Sequence, residues 1–217
     1  MVSVPAARDV EAVSSPAAAP RVAERRWEGF HARARGRGPR QVLLAACDLF
    51  GSGEGRTAID LGCGAGVDAL ALLARGWSVT AIDRDSAALE VLRAGLPAGS
   101  AGRARIVCAA YAEAVLPRAD LVHAGYSLPF CAPAEFPAVW AGIRDVILPG
   151  GVFAGQLLGV RDSWAGSAGM SFQDPEQVRE LLDGLEVLQL RETERDGEAV
   201  SGPKRWHVYD ILARRPA

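Results

Sequence analysis

From residue 57 onward, short apolar runs alternate with stretches whose apolar residues recur every three to four positions. Apolar runs bounded by turn residues predict buried strands, and a 3.6-residue spacing predicts helices. Thr57–Leu61 (TAIDL), Trp77–Asp83 (WSVTAID), Arg105–Cys108 and Asp120–Gly125 (DLVHAG) are the first four strands on this reading. A glycine turn leads from the first of them into a helix over 66–75. Asp85 caps the helix after the second strand, and Gly95 ends it. Over 134–147, Phe136, Val139, Trp140, Ile143, Val146 and Ile147 form one stripe, the face of a helix lying on a sheet. LPGG at 148–151 then turns into a fifth strand, Val152–Leu158.

Asp174-Pro175 starts another helix, with aspartate as N-cap, proline at the first helical position and Gln177 completing a capping box; Gly184 closes it. Two last strands, about 185–194 and 205–214, are joined by a polar stretch containing Asp196-Gly197 and Gly202-Pro203, and predict a hairpin. Ahead of residue 57, two helices over 21–35 and 39–50 are broken by GRGP, the second with Val42, Ala45, Ala46 and Phe50 on one stripe. Residues 1–20, rich in Ala, Pro, Ser and Val without a period, predict a mobile tail. Strands alternating with helices and ending in a hairpin give an α/β fold: a Rossmann-like, doubly wound seven-stranded sheet with an antiparallel terminal strand. The chain divides into the tail at 1–20, an N-terminal helical cap at 21–50 and the Rossmann-like domain at 51–217.

The 217 residues bury roughly 70% of their unfolded surface on folding, so a sizeable core is affordable. No apolar run approaches 18 residues, which excludes a membrane span. Arg8, Asp9 and Glu11 stand where a secretory signal needs an apolar core. Cys47, Cys63, Cys108 and Cys131 are far apart with no CxxC pair, which suits a reducing cytoplasm. Three scattered histidines supply no ligand set, so no metal is expected. A net charge of −2 makes no case for nucleic acid. That charge is uneven: residues 21–40 carry seven arginines against Glu24 and Glu28. Lys204 is the only lysine, a bias ascribed to genome composition.

The first strand-to-helix turn reads Ala58-Ile59-Asp60-Leu61-Gly62-Cys63-Gly64-Ala65-Gly66, and Asp83 ends the second strand. Ligands bind outside the carboxyl ends of such a sheet, near the point where strand order reverses. Glycines there let backbone approach a ligand, a helix N-terminus offers N–H groups to an anion, and an aspartate can accept both bonds of a ribose diol. Dinucleotide binding wants a third glycine at position 67, where Val67 stands, and a phosphate-binding Walker loop wants a lysine that is absent. Hydrophobic-Asp-x-Gly-x-Gly-x-Gly instead resembles motif I of the class I S-adenosylmethionine-dependent methyltransferases, and Asp83 resembles their second motif. LPGG before the fifth strand and the final hairpin are similar to that family as well. The resemblance covers residues 40–217. The stretches Ser127–Cys131, Gly155–Gly159 with Arg161–Trp164, and Trp206–Val208 look like its small tellurite-resistance and thiopurine branch. Two departures stand out. Relatives often have Arg-Asp after the glycine turn where this chain has Val67-Asp68, and an acidic residue after strand three where Ala110-Tyr111 occurs.

The resemblance implies S-adenosyl-L-methionine as cofactor. Asp60, Asp68 and the 62–66 backbone, with Gly62, Gly64 and Gly66, would serve its amino-acid end; Asp83 with Arg84 its ribose; Ala110 and Tyr111 its adenine. Tyr126 and Ser127 fall where the reactive methyl sits. Trp27, Phe30, His31 and Arg35 either close over the cofactor as a lid or pack as an amphipathic helix. His123 is either a general base or a strand histidine satisfied by its neighbours. His207 either faces the substrate or is structural. Arg161 and Asp162 either hold an acceptor or pair at the surface, and Phe130 and Trp164 are further substrate candidates. Cys131 has no flanking His/Asp pair to activate it as a nucleophile.

The expected activity is in-line methyl transfer from S-adenosylmethionine to a small molecule by a cytoplasmic monomer or homodimer, with neither nucleic acid nor membrane as partner. Proximity, alignment and water exclusion carry most of such a reaction, and a base is needed only for an acceptor that arrives protonated. One alternative is a cyclase that closes the cofactor's own amine onto its γ-carbon, giving azetidine-2-carboxylate and methylthioadenosine. Another is a non-catalytic cofactor-binding module.

Overall fold

The computed structural model describes residues 36–199 and 201–217. The tail at 1–20, the helix expected over 21–35, and Trp27, Phe30, His31 and Arg35 lie outside the described residues.

Seven strands form one sheet: β1 (Thr57–Leu61), β2 (Ser78–Asp83), β3 (Ala104–Cys108), β4 (Ala119–Ala124), β5 (Ile147–Leu158), β6 (Glu186–Ala199) and β7 (Gly202–Arg214). Their order is β3-β2-β1-β4-β5-β7-β6, parallel except for β7, which runs antiparallel to both neighbours. Strand order reverses between β1 and β4, so a crevice opens where those two carboxyl ends separate. The helices are α1 (Gln41–Phe50), α2 (Val67–Ala74), α3 (Ser86–Ala94), α4 (Phe136–Val146) and α5 (Pro175–Leu181).

Alternation along the strands divides the core between the two faces. On one face, Ala58, Val152 and Ala154 meet Val42, Leu43, Ala46 and Cys47 of α1 together with residues of α2 and α3. On the other, Ile59, Phe153 and Leu157 meet the α4 stripe of Phe136, Val139, Trp140 and Ile143. Helix α1 is therefore part of the layer against the sheet, and its buried stripe includes Leu43 and Cys47, which the sequence reading omitted. Trp77 is fully buried, edge-on to Phe50 at 5.3 Å, and no Cβ would fit at Gly53 beneath it. Side chains of this size each contribute about 1.5–3 kcal/mol on full burial.

The local signals hold where caps were read. Asp85 accepts from the N–H groups of Ala87 and Ala88, and Asp174 forms the capping box with Gln177. Two boundaries move. LPGG is part of β5, because Ala119 pairs with Ile147 and Leu121 with Val152, and the extra residues bulge at Gly150. The terminal hairpin is longer than expected: the polar stretch stays extended, with Arg195 opposite Trp206, Asp196 opposite Arg205 and Gly197 opposite Lys204. Its outer face is charged, with Arg205 holding Glu194 and Asp196, while Lys204 and Ala199 are buried and Trp206 packs among aromatic residues. Among the described residues, no helix is long and apolar enough to cross a membrane.

Candidate functional site

The β1–α2 turn is shaped by three glycines at positive φ: Gly62 (75°), Gly64 (52°) and Gly66 (82°). A Cβ at Gly62 would lie 2.3 Å from Ser127 Cβ, so glycine there lets the β1 turn press against the end of β4. A Cβ at Gly66 would strike Leu92 of α3 at the same distance. Four of the five turn N–H groups are already committed. Gly62 and Cys63 donate to the Ile82 carbonyl, Gly64 to Asp83 and Gly66 to the Cys63 carbonyl. The turn is thus a self-bonded wall, and the expectation that the 62–66 N–H groups supply the anion-binding donors does not hold for these four.

Asp83 closes the turn from β2. One oxygen accepts from Gly64 N–H at 2.7 Å, the other from Asp85 N–H at 2.9 Å. A carboxylate oxygen has two lone pairs, so each keeps one for a ligand in the cavity that Asp83 lines. Tyr111 stands on the next loop, and its hydroxyl donates to the Ser127 carbonyl at 2.9 Å. Burial pushes that phenol well above its usual pKa, so it stays neutral. The Ser127 hydroxyl donates its one proton to the Leu61 carbonyl, which makes it a brace between β1 and β4. Tyr126 beside it sits at φ 55°, a region that non-glycine residues rarely occupy. Strain of this kind persists only where the surroundings hold it: the ring is stacked under Arg40 at 4.4 Å and edge-on to Trp206 at 5.9 Å.

Three residues expected at the ligand lie behind this wall. Asp60, Asp68 and His123 are buried, and none of them lines the cavity. His123 Nδ1 meets the Ala154 carbonyl at 2.8 Å, and Nε2 lies 3.4 Å from Asp68 Oδ2, so the ring bridges strand and helix and is not a base at the reacting centre. Asp68 spends its carboxylate on the segment ahead of α1: it accepts from Arg37 Nη2 at 2.6 Å, Arg37 Nη1 at 3.1 Å and Arg40 N–H at 2.9 Å. Burial works against charge on Asp68, but His123 and Arg37 hold its carboxyl well below the usual range. Asp60 is pushed up to about 7, chiefly by burial and against the pull of His123. One of its oxygens has no hydrogen-bond partner.

Arg37 and Arg40 both line the cavity, and each has a buried Nε with no partner among the described residues. No sequence signal singled them out, because they are two of the seven arginines at 21–40. Their position answers the missing Arg-Asp pair: Asp68 keeps its place after the turn, and Arg37 comes to it from 31 residues upstream.

The opposite wall rises from β5–β7. Phe130, Trp164, Trp206 and Tyr126 form a connected aromatic surface with Leu158 and Val208. Phe130 and Trp164 line the cavity, and Trp206, Arg195 and Glu198 join them from the extended hairpin. Behind the two indoles the sole lysine is buried: Lys204 Nζ lies 4.0 Å from the Trp164 ring centre and 4.4 Å from that of Trp206, paired with Asp162. Asp162 also accepts from the Trp164 and His207 N–H groups, so it organises the wall from inside. His207 is fully buried, with Nδ1 accepting from Arg161 N–H at 3.1 Å and Nε2 at 2.8 Å from Glu192. Arg161 grips Glu192 and Glu194 on the outer face. Neither residue lines the cavity, so both are corrected to structural pairs. Glu192, Glu194 and His207 do converge within 4.8 Å, but guanidiniums already hold both carboxylates.

These walls enclose one continuous cavity of about 660 Å³, running from Asp83 and Gly64 to Trp206. Residues 58–151 match the model of a methyltransferase domain. The fold is that of the class I methyltransferases. Its backbone is similar to TehB from Haemophilus influenzae, with TM-score 0.70 and 16% identity over 86% of this chain and 65% of that one, so it spans about two thirds of that protein. A SAM-dependent methyltransferase from Methanosarcina mazei gives 0.63 and 18% over 83% and 99%. The glycopeptide N-methyltransferase MtfA gives 0.60 and 20% over 85% and 100%. No curated protein sequence matches the chain. MtfA is also solved in complex with S-adenosylmethionine, and the residues lining the present cavity fit a molecule of that kind. Asp83 faces it with free lone pairs, and the Nε–H groups of Arg37 and Arg40 have no partner among the described residues.

Proposed function

We propose that this protein transfers a methyl group from S-adenosylmethionine to a small molecule. The observation that carries the reading is the single continuous cavity, with the Asp83 carboxylate at one end, arginine Nε–H groups without a partner among the described residues beside the glycine turn, and an aromatic wall beyond. Its volume suits small ligands, which occupy clefts of about 300–1,000 Å³.

The cofactor, when bound, supplies an already activated methyl carbon. Asp83 would accept from the ribose hydroxyls, with Arg84 beside it. Ala110 and Tyr111 would flank the adenine, Tyr111 as a neutral, fixed ring. Arg37 and Arg40 would hold the carboxylate that the occupied turn N–H groups cannot take. Asp68 and His123 act one layer back, as positioning residues that fix Arg37 through buried contacts, with Asp60 buried on the neighbouring strand opposite His123. Tyr126 lines the cavity, its ring under Arg40 on one side and edge-on to Trp206. Alignment of methyl and acceptor in this cavity would supply most of the rate. A cyclase would have no use for the aromatic half of the cavity, which is why methyl transfer is preferred. Four free cysteines and the near-neutral charge support a cytoplasmic setting without nucleic acid; a monomer or homodimer is the accompanying proposal.

The test is product analysis. Incubation with S-adenosylmethionine and a panel of small aromatic acceptors should yield S-adenosylhomocysteine only when an acceptor is present. Steady methylthioadenosine release with no acceptor would replace this reading with cyclisation.

A further inference from the structure

Resting on the methyl-transfer reading, we infer that the acceptor is a small planar aromatic compound bearing an acidic group, its ring lying on the Tyr126–Trp206–Trp164–Phe130 wall and its anion on Arg195. The wall is one surface: ring centres are 5.9 Å apart for Tyr126 and Trp206, 6.0 Å for Trp206 and Trp164, and 6.5 Å for Trp164 and Phe130. Aromatic faces at these spacings accept a further planar ring by offset or edge-on stacking.

Charge decides between acceptors. Three cations already occupy the ring faces: Arg40 on Tyr126 at 4.4 Å, Arg195 on Trp206 at 5.5 Å, and Lys204 behind both indoles. Aromatic walls without such occupants suit cationic ligands. Here a cationic acceptor meets like charge at three of the four rings. Lys204 has Asp162, but among the described residues Arg40 and Arg195 form no ion pair. Arg195 instead lies over the Trp206 ring, which is itself edge-on to Tyr126. Arg40, beside Arg37 and next to the turn, belongs to the cofactor end; Arg195, on the β6–β7 hairpin across the sheet, belongs to the acceptor end. Glu135 and Glu198 also line the cavity, and both are exposed to solvent and without an ion pair among the described residues. A guanidinium fork matches a carboxylate with two parallel hydrogen bonds, so a carboxylate on an aromatic ring fits both features of the wall.

The probes are salicylate, its neutral isostere salicylamide, and the cation tyramine, each titrated by calorimetry into the full-length protein saturated with S-adenosylhomocysteine. Salicylate should bind at least tenfold more tightly than salicylamide, and tyramine more weakly than either. Arg195→Gln should bring salicylate down to the salicylamide level, and Arg195→Lys should restore part of the difference. Equal or tighter binding of salicylamide or tyramine would overturn the proposal. So would an unchanged ratio in Arg195→Gln, or no binding of any probe to the saturated protein. The first titration separates this failure from that of the parent reading: if S-adenosylhomocysteine itself does not bind, methyl transfer falls, and the acceptor proposal falls with it.

Discussion

Arg37 and Asp68 are joined by two hydrogen bonds, 2.6 and 3.1 Å long, that tie the segment ahead of α1 to the first turn of α2. Asp68 is almost fully buried and Arg37 only a quarter exposed, so solvent screens this pair weakly. Asp68→Ala would strand the Arg37 guanidinium, free the Arg40 N–H and remove the Nε2 partner of His123. Breaking a buried pair from one side costs about 3–5 kcal/mol. Urea denaturation should show a loss of that order, and cofactor affinity should fall in parallel because Arg37 and Arg40 lose their positions. An unchanged midpoint would mean that the pair does not hold the segment.

Asp83→Ala removes a charged acceptor that closes the glycine turn and faces the cavity. Hydrogen bonds to charged groups are worth about 1.5–3 kcal/mol, so S-adenosylmethionine should bind roughly tenfold or more weakly. Equilibrium dialysis with labelled cofactor reads this directly. Asp83→Asn should recover part of the affinity, since an amide oxygen still accepts.

Gly62→Ala places a methyl 2.3 Å from Ser127 Cβ and 2.9 Å from the Tyr111 hydroxyl, at a φ of 75°. The backbone conformation alone costs about 1–2 kcal/mol, and the clash adds to it. The variant should melt well below the parent and bind no cofactor. Gly99→Ala, also at positive φ but in open space, isolates the conformational part and should lose only about that amount.

The buried Asp60–His123 contact predicts a falling stability with rising pH. Burial pushes Asp60 up to about 7, against the pull of His123. Burial opposes charge on His123, but Asp68, Asp60 and the Ala154 carbonyl outweigh it and raise its pKa. For both groups the folded state holds protons that the unfolded chain releases, so stability declines as pH climbs toward and through neutrality. For Asp60 the decline begins near its unfolded value of about 4 and is complete just above 7. Asp68 acts with opposite sign in acid, where its stabilisation is lost as pH falls below the ordinary carboxylate range. Denaturation midpoints should therefore be higher at pH about 5.5 than at about 8, and Asp60→Asn should flatten that slope. An equal slope in the variant would place the titration elsewhere.

Much of this was readable from the chain because the signals were local. The strand run TAIDL, the cap at Asp85 and the Asp174–Gln177 box each need only a few neighbours to be recognised. What stayed hidden depends on partners far away in sequence. Residues 195–199 read as a loop because charges and Gly197 interrupt the apolar pattern, yet pairing with 202–206 keeps them extended and brings Arg195 and Glu198 to the cavity. Arg37 and Arg40 looked like part of a general basic stretch until Asp68 singled them out. Lys204 was put down to composition. A lone lysine two residues before Trp206 in an arginine-rich chain was in fact the available clue, since its ammonium is buried against two indoles and paired with Asp162. His123 and His207 have strand-interior positions, and burial decided both.

The central claim is that the cavity beside the glycine turn is built for S-adenosylmethionine and not for a dinucleotide. The direct measurement is calorimetric titration of the full-length protein with S-adenosylmethionine, S-adenosylhomocysteine and NAD, beside Asp83→Ala. The account predicts one site per chain for the first two, weakened in the variant, and no heat from NAD, because Val67 takes the place of the third fingerprint glycine. Binding of NAD with no uptake of either adenosyl compound would contradict it.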